Sequence, residues 1–221
     1  MLQCGIRAIS FLQDSDELTA INEVPAMQRR RLSKLAKIAL NSARKMQQQF
    51  GEIDYIVWTS CFGDEQNTLK ILHEIANEGT ASPTQFSILV HNAIAGLYSI
   101  LFQDDTVSTS ISSRLSTCWQ DAVTEAYSFL QANGKQRALV IYYEQPLPEV
   151  YIDQVADFEQ GIAISALVER DDPNLQFEFH PTKPADVEQQ FDHSIQALNF
   201  YHFWQSEQQT WHAGNGLWKK C

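Results

Sequence analysis

The sequence predicts an α/β fold in which helices cover a largely parallel or mixed sheet. Three observations lead to this prediction. Short apolar runs rich in β-branched and aromatic residues recur along the chain, as is typical of strands buried on both faces. Segments with apolar residues at helical spacing lie between these runs. Glycine and proline are few and fall at the ends of the segments, so no linker divides the chain, and we expect one domain over residues 1–221.

The first half of the chain alternates predicted strands and helices. A strand at 5–12 precedes a helix over 28–50, in which apolar residues recur at helical spacing. A continuous apolar run at 53–62 predicts a buried strand. The next segment, 63–79, predicts a helix that ends at a glycine. The side chains expected to pack this helix against the core are Leu69, Leu72, Ile75 and Ala76.

The rest of the chain continues the alternation. Residues 86–102 are apolar with small residues in the middle, and they predict a helix from about Asn92 onward. Alternating residues at 106–112 predict a strand, and Ser116 or Thr117 is placed to cap the helix that follows. The later predicted elements are a helix from Trp119 to Leu130, strands at 137–143, 161–169 and 175–181, a helix at 187–204, and a turn at 213–216 between Trp211 and Trp218.

Composition and charge limit the classes of function. The formal net charge of −11 argues against nucleic acid as a partner, because the summed field of the protein repels a polyanion. No segment has the long uncharged apolar run of a membrane span, and the N-terminus lacks a secretion-signal pattern, so a cytoplasmic protein is expected. The cysteines, Cys4, Cys61, Cys118 and Cys221, are scattered without metal-ligand spacing. We therefore expect no metal site, no cofactor and no disulfide scaffold.

Two consecutive stretches carry a resemblance to a known family. The segments PTQFSILVHNAIAGLYSI (83–100) and TVSTSISSRLST (106–117) resemble the N-terminal half of β-ketoacyl synthases, members of the thiolase-like superfamily. Those enzymes carry a phenylalanine, an Asn-x-x-Ala-Gly segment, and then a strand that ends in the nucleophilic cysteine. The matching positions are Phe86, Asn92, Ala95 and Gly96, with 111–117 lying over the nucleophile strand.

The resemblance extends over most of the chain. RALVIYYEQPLP (137–148) and GIAISALVE (161–169) resemble later strands of the same family, so the similarity covers about residues 5–169. It implies a truncated thiolase-like layered fold, the ketosynthase N-terminal half, with a mixed sheet. Residues 170–221 are unmatched and are expected to cap apolar surface as well as contribute to the core. The stretch PAMQRRRLSKLAKIAL (25–40) resembles truncated ketosynthase-like proteins of aryl polyene pathways.

The sequence departs from the active enzymes in two respects. Leu115 stands at the position that the resemblance assigns to the nucleophile, and leucine has no thiolate to attack an acyl thioester. The family's two catalytic histidines belong to a C-terminal half that this chain is too short to complete. The resemblance therefore implies a non-catalytic, chain-length-factor-like subunit that forms a heterodimer with an active β-ketoacyl synthase. Its expected interface and acyl-tunnel residues are Phe86, Asn92, Ile94, Ser112, Arg114 and Leu115.

Two alternatives to this interpretation stay open. Cys118 lies three residues beyond Leu115, in the predicted first turn of a helix, where the helix dipole favours a thiolate. With a shifted alignment, the chain would be a thiol-dependent acyltransferase or thioesterase that uses Cys118. The other alternative is a purely structural partner that stabilises the synthase without contacting substrate. Cys61 ends a buried strand and is expected to be inert.

A basic cluster occurs in this acidic chain, within the helix predicted over 28–50. One interpretation is a solvated helix face. The other is docking of an acidic acyl carrier protein, or ion pairing with the partner synthase. The residues assigned to this docking surface are Arg29, Arg30, Arg31, Lys34 and Lys37.

Overall fold

Eight strands of the described chain form one sheet. The computed structural model describes residues 1–80, 82–154, 159–180, 194–213 and 215–221. The strands are β1 (Leu2–Gln13), β2 (Tyr55–Thr59), β3 (Ser108–Ile111), β4 (Arg137–Glu144), β5 (Ile162–Glu169), β6 (Leu175–Phe179), β7 (Thr210–Ala213) and β8 (Gly216–Lys220). Their order across the sheet is β3-β2-β4-β5-β1-β6-β8-β7.

The sheet combines parallel and antiparallel pairs. β2 pairs in parallel with β3 on one side and with β4 on the other. All other neighbouring strands, from β4 and β5 to β7 and β8, pair antiparallel. β4 and β5 are buried along nearly their whole lengths, in agreement with their continuous apolar sequences. The predicted α/β fold with a mixed sheet is therefore confirmed.

Helices cover both faces of this sheet. The α-helices are α1 (Ala26–Arg29), α2 (Lys34–Phe50), α3 (Glu65–Glu78), α4 (Pro83–Ser87), α5 (Ala93–Phe102), α6 (Cys118–Asn133) and α7 (Gln196–Gln205), and 3-10 helices span Ala20–Glu23 and Glu149–Gln154. α6 and α7 pack on one face, and α2 and α5 pack on the other. None of the described helices is long and apolar enough to cross a membrane.

The side chains of β2 alternate between these two layers. Tyr55 and Val57 join the hydrophobic cluster on the α6 side, and Ile56 and Trp58 join the cluster on the α2 side. Because every second residue points to the same face, each strand in the centre of the sheet contributes side chains to both clusters. The fold therefore has two separate hydrophobic interiors divided by the sheet.

The basic segment around residue 30 does not lie on one continuous helix. The helix predicted over 28–50 is wrong at its start, because α1 ends at Arg29 and α2 begins at Lys34. Ser33 caps α2, since its Oγ accepts the backbone N–H of Ala36 at 3.1 Å. The apolar spacing continues across this break, so the hydrophobic pattern alone did not reveal it.

Helix α3 exposes much of the face that was predicted to be buried. Leu72 is 49% exposed and Ile75 is 44% exposed. Ala76 is also exposed and Leu69 is half-buried, whereas Ile71 is buried. The predicted packing of this helix is therefore wrong for the chain by itself. Helical spacing identifies which side chains share a face, but not whether the same chain covers that face.

The C-terminal segment extends the sheet and covers α6. β6 pairs with β1, and β8 and β7 continue the sheet beyond it. The ring of Phe200 on α7 lies 5.3 Å from the ring of Trp119 on α6 and 5.0 Å from that of Trp218 on β8. Aromatic packing of this kind adds to the stability gained from buried area. The aromatic residues of this segment thus seal one face of α6.

The remaining predicted elements agree with the structure in type and place, and their ends differ by a few residues. The strand predicted at 53–62 is β2, and the strand predicted at 175–181 is β6. The helix predicted at 187–204 corresponds to α7, and its residues 187–193 lie outside the described part of the chain. In the turn predicted at 213–216, Gly214 also lies outside it.

Candidate functional site

The carboxyl ends of β2 and β4 meet the start of α6 at one edge of the sheet. β2, β3 and β4 run parallel, so their last residues lie at the same edge. The loop 112–117 leads from β3 into α6 there. At this edge the hydroxyl of Thr59 contacts the sulfur of Cys118, and the backbone N–H of Cys61 donates a hydrogen bond to Glu144. This is the place that the sequence resemblance assigns to the nucleophile.

Leu115 occupies this place with an apolar side chain that is 9% exposed. It packs in the same hydrophobic cluster as Cys118 and Ile195. Its carbonyl oxygen accepts a hydrogen bond of 3.2 Å from the backbone N–H of Gln196. The side-chain oxygen of Gln196 accepts a second bond, of 2.9 Å, from the N–H of Gln120 on α6. The first residue of α7 therefore ties the loop to α6.

Cys118 is a buried thiol that receives hydrogen bonds. The Oγ1 of Thr59 lies 2.9 Å from its Sγ. The nearby thiol of Cys61, followed by Thr59, lowers the pKa of Cys118 to about 7, although burial acts in the opposite direction. The Cys118 thiol and burial raise the pKa of Cys61.

Cys118 lacks two requirements of an acyl-transfer nucleophile. Such a cysteine needs a base within hydrogen-bond reach and access to the substrate. Within the described part of the chain no histidine hydrogen-bonds to Cys118, and the Nε2 of His91 lies 3.4 Å from the carbonyl oxygen of Ser60 instead. Cys118 is also closed to a substrate, because this residue is 1% exposed. The geometry does not favour the Cys118 enzyme.

Glu144 is a fully buried carboxyl group at the end of β4. It accepts hydrogen bonds from the hydroxyl of Ser60 at 3.1 Å and from the backbone N–H of Cys61 at 2.8 Å. Burial nevertheless raises its pKa to about 8, so the group is largely protonated at neutral pH. Sequence reasoning missed this residue, because an acid at the end of an apolar run gives no sign that it is buried.

The predicted interface and tunnel residues do not form one cluster. Ile94 and Leu115 are both buried, but they belong to hydrophobic clusters on opposite faces of the sheet. The members that face solvent are Phe86, Asn92, Ser112 and Arg114. A tunnel that reaches Ile94 therefore runs on the α2 side, and one that reaches Leu115 runs on the α6 side.

Strand β3 lies at an edge of the sheet, because among the described strands it pairs with β2 alone. The carbonyl groups of Val107 and Ile111 accept hydrogen bonds from β2 and the residue after it, so by alternation the backbone groups of Ser108 and Ser110 point away from the sheet. Helix α5 packs against β3, and the segment from α3 to β3 carries large exposed apolar side chains, which we call the apolar rim. Its members are Leu72, Ile75, Phe86, Ile88, Val90, Ile100 and Val107.

An apolar cavity of about 390 Å³ lies between α2 and the segment from α4 to α5. This volume is within the range of small-molecule sites. The cavity brings together Arg31 of the basic cluster and Ile94 of the predicted tunnel set. The apolar stretch 86–102 was the sequence feature that could have indicated this cavity, but the sequence analysis assigned those residues to a packed helix. The lining residues that were not singled out include Leu32, Ala36, Leu89, Leu97, Leu101 and Tyr143.

The basic cluster divides between α1, the turn after it and α2. Arg29 hydrogen-bonds to the side chain of Asn22. Arg44, further along α2, forms an ion pair of 2.6 Å with Glu23. The members that form no ion pair with the described part of the chain are Arg30, Arg31, Lys34 and Lys37. Their charges are therefore available to a partner.

The sheet order and the loop between β3 and α6 define the class of protein. A parallel β3-β2-β4 unit, covered by α2 on one face and by α6 on the other, is a thiolase-like α/β fold of the ketosynthase type. The chain belongs to the β-ketoacyl synthase family, because the model of the β-ketoacyl synthase N-terminal domain matches residues 7–219. This match includes most of the segment after residue 169 that could not be placed from the sequence. No curated protein matches the chain.

Several solved structures share the fold. The chain is similar to a chain in the complex of a ketosynthase (ApeO) with its chain length factor (ApeC) from Xenorhabdus doucetiae. The two chains are 22% identical with a TM-score of 0.79, and the similarity covers 99% of this chain and 100% of the other. It is similar to the ishigamide ketosynthase/chain length factor at 12% identity and a TM-score of 0.57, covering 73% and 53%. A third similarity is to AntDE:AntF, a type II PKS acyl-carrier protein in complex with its ketosynthase, at 11% identity and a TM-score of 0.61, covering 85% and 72%. At these identities the likeness shows a shared fold.

Proposed function

We propose that the chain is a non-catalytic, chain-length-factor-like subunit that pairs with an active β-ketoacyl synthase in aryl polyene biosynthesis. One observation carries the proposal. Leu115 fills the nucleophile position and is tied down by Gln196, while the neighbouring edge strand β3 and the apolar rim stay uncovered. A chain of this kind keeps a binding surface and has no acyl acceptor at the usual place.

The open edge of β3 supports pairing with a second subunit of similar fold. The outward backbone groups of Ser108 and Ser110 offer hydrogen bonds to an added strand. Large exposed apolar side chains indicate an interaction surface. Of the apolar rim, Val107 directly precedes β3 and Ile100 lies on α5, which packs against this strand. Phe86, which is 60% exposed, suits an aromatic anchor that enters a pocket of the partner.

The same subunit is proposed to limit the length of the acyl chain made by the synthase. The closed end of an apolar tunnel penalises each further methylene that does not fit. The cavity beside Ile94 and the packed site of Leu115 are two places where such an end can form. The residues proposed for the interface and the tunnel wall are Phe86, Asn92, Ile94, Ser112, Arg114 and Leu115.

The similar structures support the proposed partners. One is a complex of a ketosynthase with its chain length factor, and another contains an acyl-carrier protein with its ketosynthase. We extend both kinds of partner to this chain. Arg30, Arg31 and Lys34 face solvent without ion pairs, which suits docking of an acidic carrier protein.

Co-expression with a β-ketoacyl synthase from the same genome tests the pairing. The size and mass of the purified complex report its stoichiometry, and a one-to-one heterodimer is expected. Ser110→Pro removes one outward N–H of β3 and leaves the carbonyl groups that bond to β2 in place. We expect this variant to bind the synthase at least about tenfold more weakly, which corresponds to the loss of a well-formed hydrogen bond and strand fit.

Ser110→Ala is the matched control, because the Oγ of Ser110 is buried with no hydrogen-bond partner among the described residues, and its removal leaves the backbone edge intact. This control is expected to bind like the unmodified chain. A monomer or homodimer in the presence of the synthase would contradict the proposal, as would equal affinity of the two Ser110 variants. An isolated chain that accepts an acyl group on Cys118 would support the thiol-dependent enzyme instead.

A further inference from the structure

The apolar cavity between α2 and the segment from α4 to α5 opens to solvent beside the basic cluster. We propose that this cavity binds a medium-chain carboxylic acid, with the apolar chain inside and the carboxylate at Arg31. The proposed function uses the cavity only as one of two places for the end of an acyl tunnel. The inference goes beyond that function, because the isolated chain binds the acid without the synthase.

The size and the lining of the cavity indicate a ligand site. Protein interiors are close-packed and contain few voids larger than a water molecule. A space of about 390 Å³ is far larger than such a void and falls within the range of small-molecule sites. Leu32 and Ala36 line it from the α2 side, and Leu97 and Leu101 line it from α5. Apolar walls of this kind favour a hydrocarbon over water.

The cavity extends from the surface of the chain to the sheet. Gln28, Arg31 and Val90 are exposed lining residues, and they mark its mouth. Tyr143 of β4 also lines the cavity but is only 2% exposed, so the inner end lies against the sheet. This face of the sheet is opposite to the face that holds Leu115. An elongated apolar ligand therefore fits with one end buried and the other end in water.

The charges at the mouth select an anionic head group. Arg31 forms no ion pair with the described residues, and Arg30 and Lys34 beside it in the chain are also exposed and unpaired there. Asp64 is the acidic residue that lines the cavity, and its carboxylate already accepts a hydrogen bond of 2.9 Å from the side chain of Gln145. The planar guanidinium of an arginine matches a carboxylate with two parallel N–H donors. The head group is therefore placed at Arg31.

Calorimetric titration of the isolated full-length chain with octanoate tests the inference, and 1-octanol is the uncharged probe with the same chain. Both compounds are expected to bind. Decanoate should bind roughly tenfold more tightly than octanoate, because two more methylenes leave water. Arg31→Gln should weaken octanoate binding about fivefold and leave the affinity for 1-octanol unchanged. Lys45→Gln removes an exposed charge further along α2 and is the control, with unchanged affinity for both compounds.

A second pair of variants tests whether the ligand occupies the cavity. Leu97→Trp fills the space from α5 and should weaken the binding of both compounds at least about tenfold. Ile100→Trp is the matched control on the same helix, because Ile100 is 74% exposed and lies outside the cavity lining. This control should bind octanoate and 1-octanol like the unmodified chain.

Three results would overturn the inference. The first is the absence of octanoate and decanoate binding at millimolar concentration. The second is an equal loss of octanoate and 1-octanol affinity in Arg31→Gln, and the third is equal binding by the Leu97→Trp and Ile100→Trp variants. If Leu97→Trp does not fold, the comparison at the exposed Arg31 decides the matter. Because the synthase is absent from these titrations, failure of the proposed pairing would leave their result valid.

Discussion

The backbone N–H of Gln196 donates a hydrogen bond of 3.2 Å to the carbonyl oxygen of Leu115. Gln196 is itself buried, and its side-chain oxygen accepts the N–H of Gln120. Helix α7 therefore fixes both the loop that would carry a nucleophile and the first turns of α6. Leu115, at the position that the sequence resemblance assigns to the nucleophile, is thus both buried and held by a second element.

Leu115→Cys is therefore expected to remain inactive. The new thiol would lie in a buried apolar cluster that also contains Cys118 and Ile195, and no base within the described residues contacts that place. Intact-mass analysis after incubation with an acyl thioester of the carrier protein should show no acyl adduct. The substitution should also lower the free energy of unfolding by about 1–2 kcal/mol, because it removes buried methyl groups. An acyl adduct on the Leu115→Cys variant, with the active synthase as the positive control, would refute this expectation.

The site of chain-length control can be located with substitutions on the two faces of the sheet. Ile94 lines the cavity on the α2 side, so Ile94→Trp is expected to fill that space and shorten the products of the heterodimer. Leu115→Phe enlarges the side chain on the α6 side and tests the second proposed place for the tunnel end. Product lengths are measured by mass spectrometry of chains released from the purified complex. Shorter products from Leu115→Phe alone would place the tunnel on the α6 side, and no change in either variant would favour a purely structural partner.

The central elements of the fold could be predicted from sequence because their burial is two-sided. Strands such as β4 and β5 are apolar without interruption, and that pattern depends only on local composition. The face of α3 was predicted wrongly because its apolar residues, including Leu72 and Ile75, are exposed on the isolated chain. The spacing of apolar residues shows that one face of a helix is apolar, but it does not show which molecule covers that face.

The chemistry of the candidate site was less accessible to sequence reasoning. Leu115 could be found because a short local motif aligns it with a nucleophile. Gln196 could not, because it reaches the loop from 81 positions along the chain, and no local pattern encodes so distant a contact. Glu144 was missed for the same reason, since its hydrogen bond from Cys61 arises where parallel strands bring distant residues together.

The basic cluster predicts a salt-dependent interaction with the carrier protein. The double substitution Arg31→Glu and Lys34→Glu reverses two exposed charges that form no ion pair in the described chain. The double variant should bind the carrier protein about tenfold more weakly, or worse, at low salt. The affinity is measured by titration of the heterodimer with an acyl carrier protein. Lys45→Glu is the control, because this exposed lysine lies about 16 Å further along α2. Equal weakening by the control would indicate a general charge effect instead of a docking surface.

The buried carboxyl group of Glu144 predicts a stability that falls as the pH rises. Burial raises its pKa in the folded chain to about 8, against an ordinary value of 4.5. Between these two values the unfolded chain has released the proton while the folded chain still holds it, so each rise in pH favours unfolding. The free energy of unfolding should decrease between about pH 5 and 8, by at most about 1.4 kcal/mol per pH unit, and the decrease should end above the folded pKa.

Urea unfolding across this pH range measures the effect, and Glu144→Gln removes it. The glutamine stays neutral at every pH, so the difference in stability between the variant and the unmodified chain should be smallest near pH 5 and grow toward pH 8. Cys118, whose lowered pKa of about 7 acts in the opposite direction above neutral pH, interacts with Glu144, so the slopes are compared between about pH 5 and 7. Glu169→Gln, which removes a partly exposed partner of Arg137, should leave the slope in place. A Glu144→Gln variant with the same slope as the unmodified chain would mean that this carboxyl group is already ionised in the folded protein, held by the hydrogen bonds from Ser60 and Cys61.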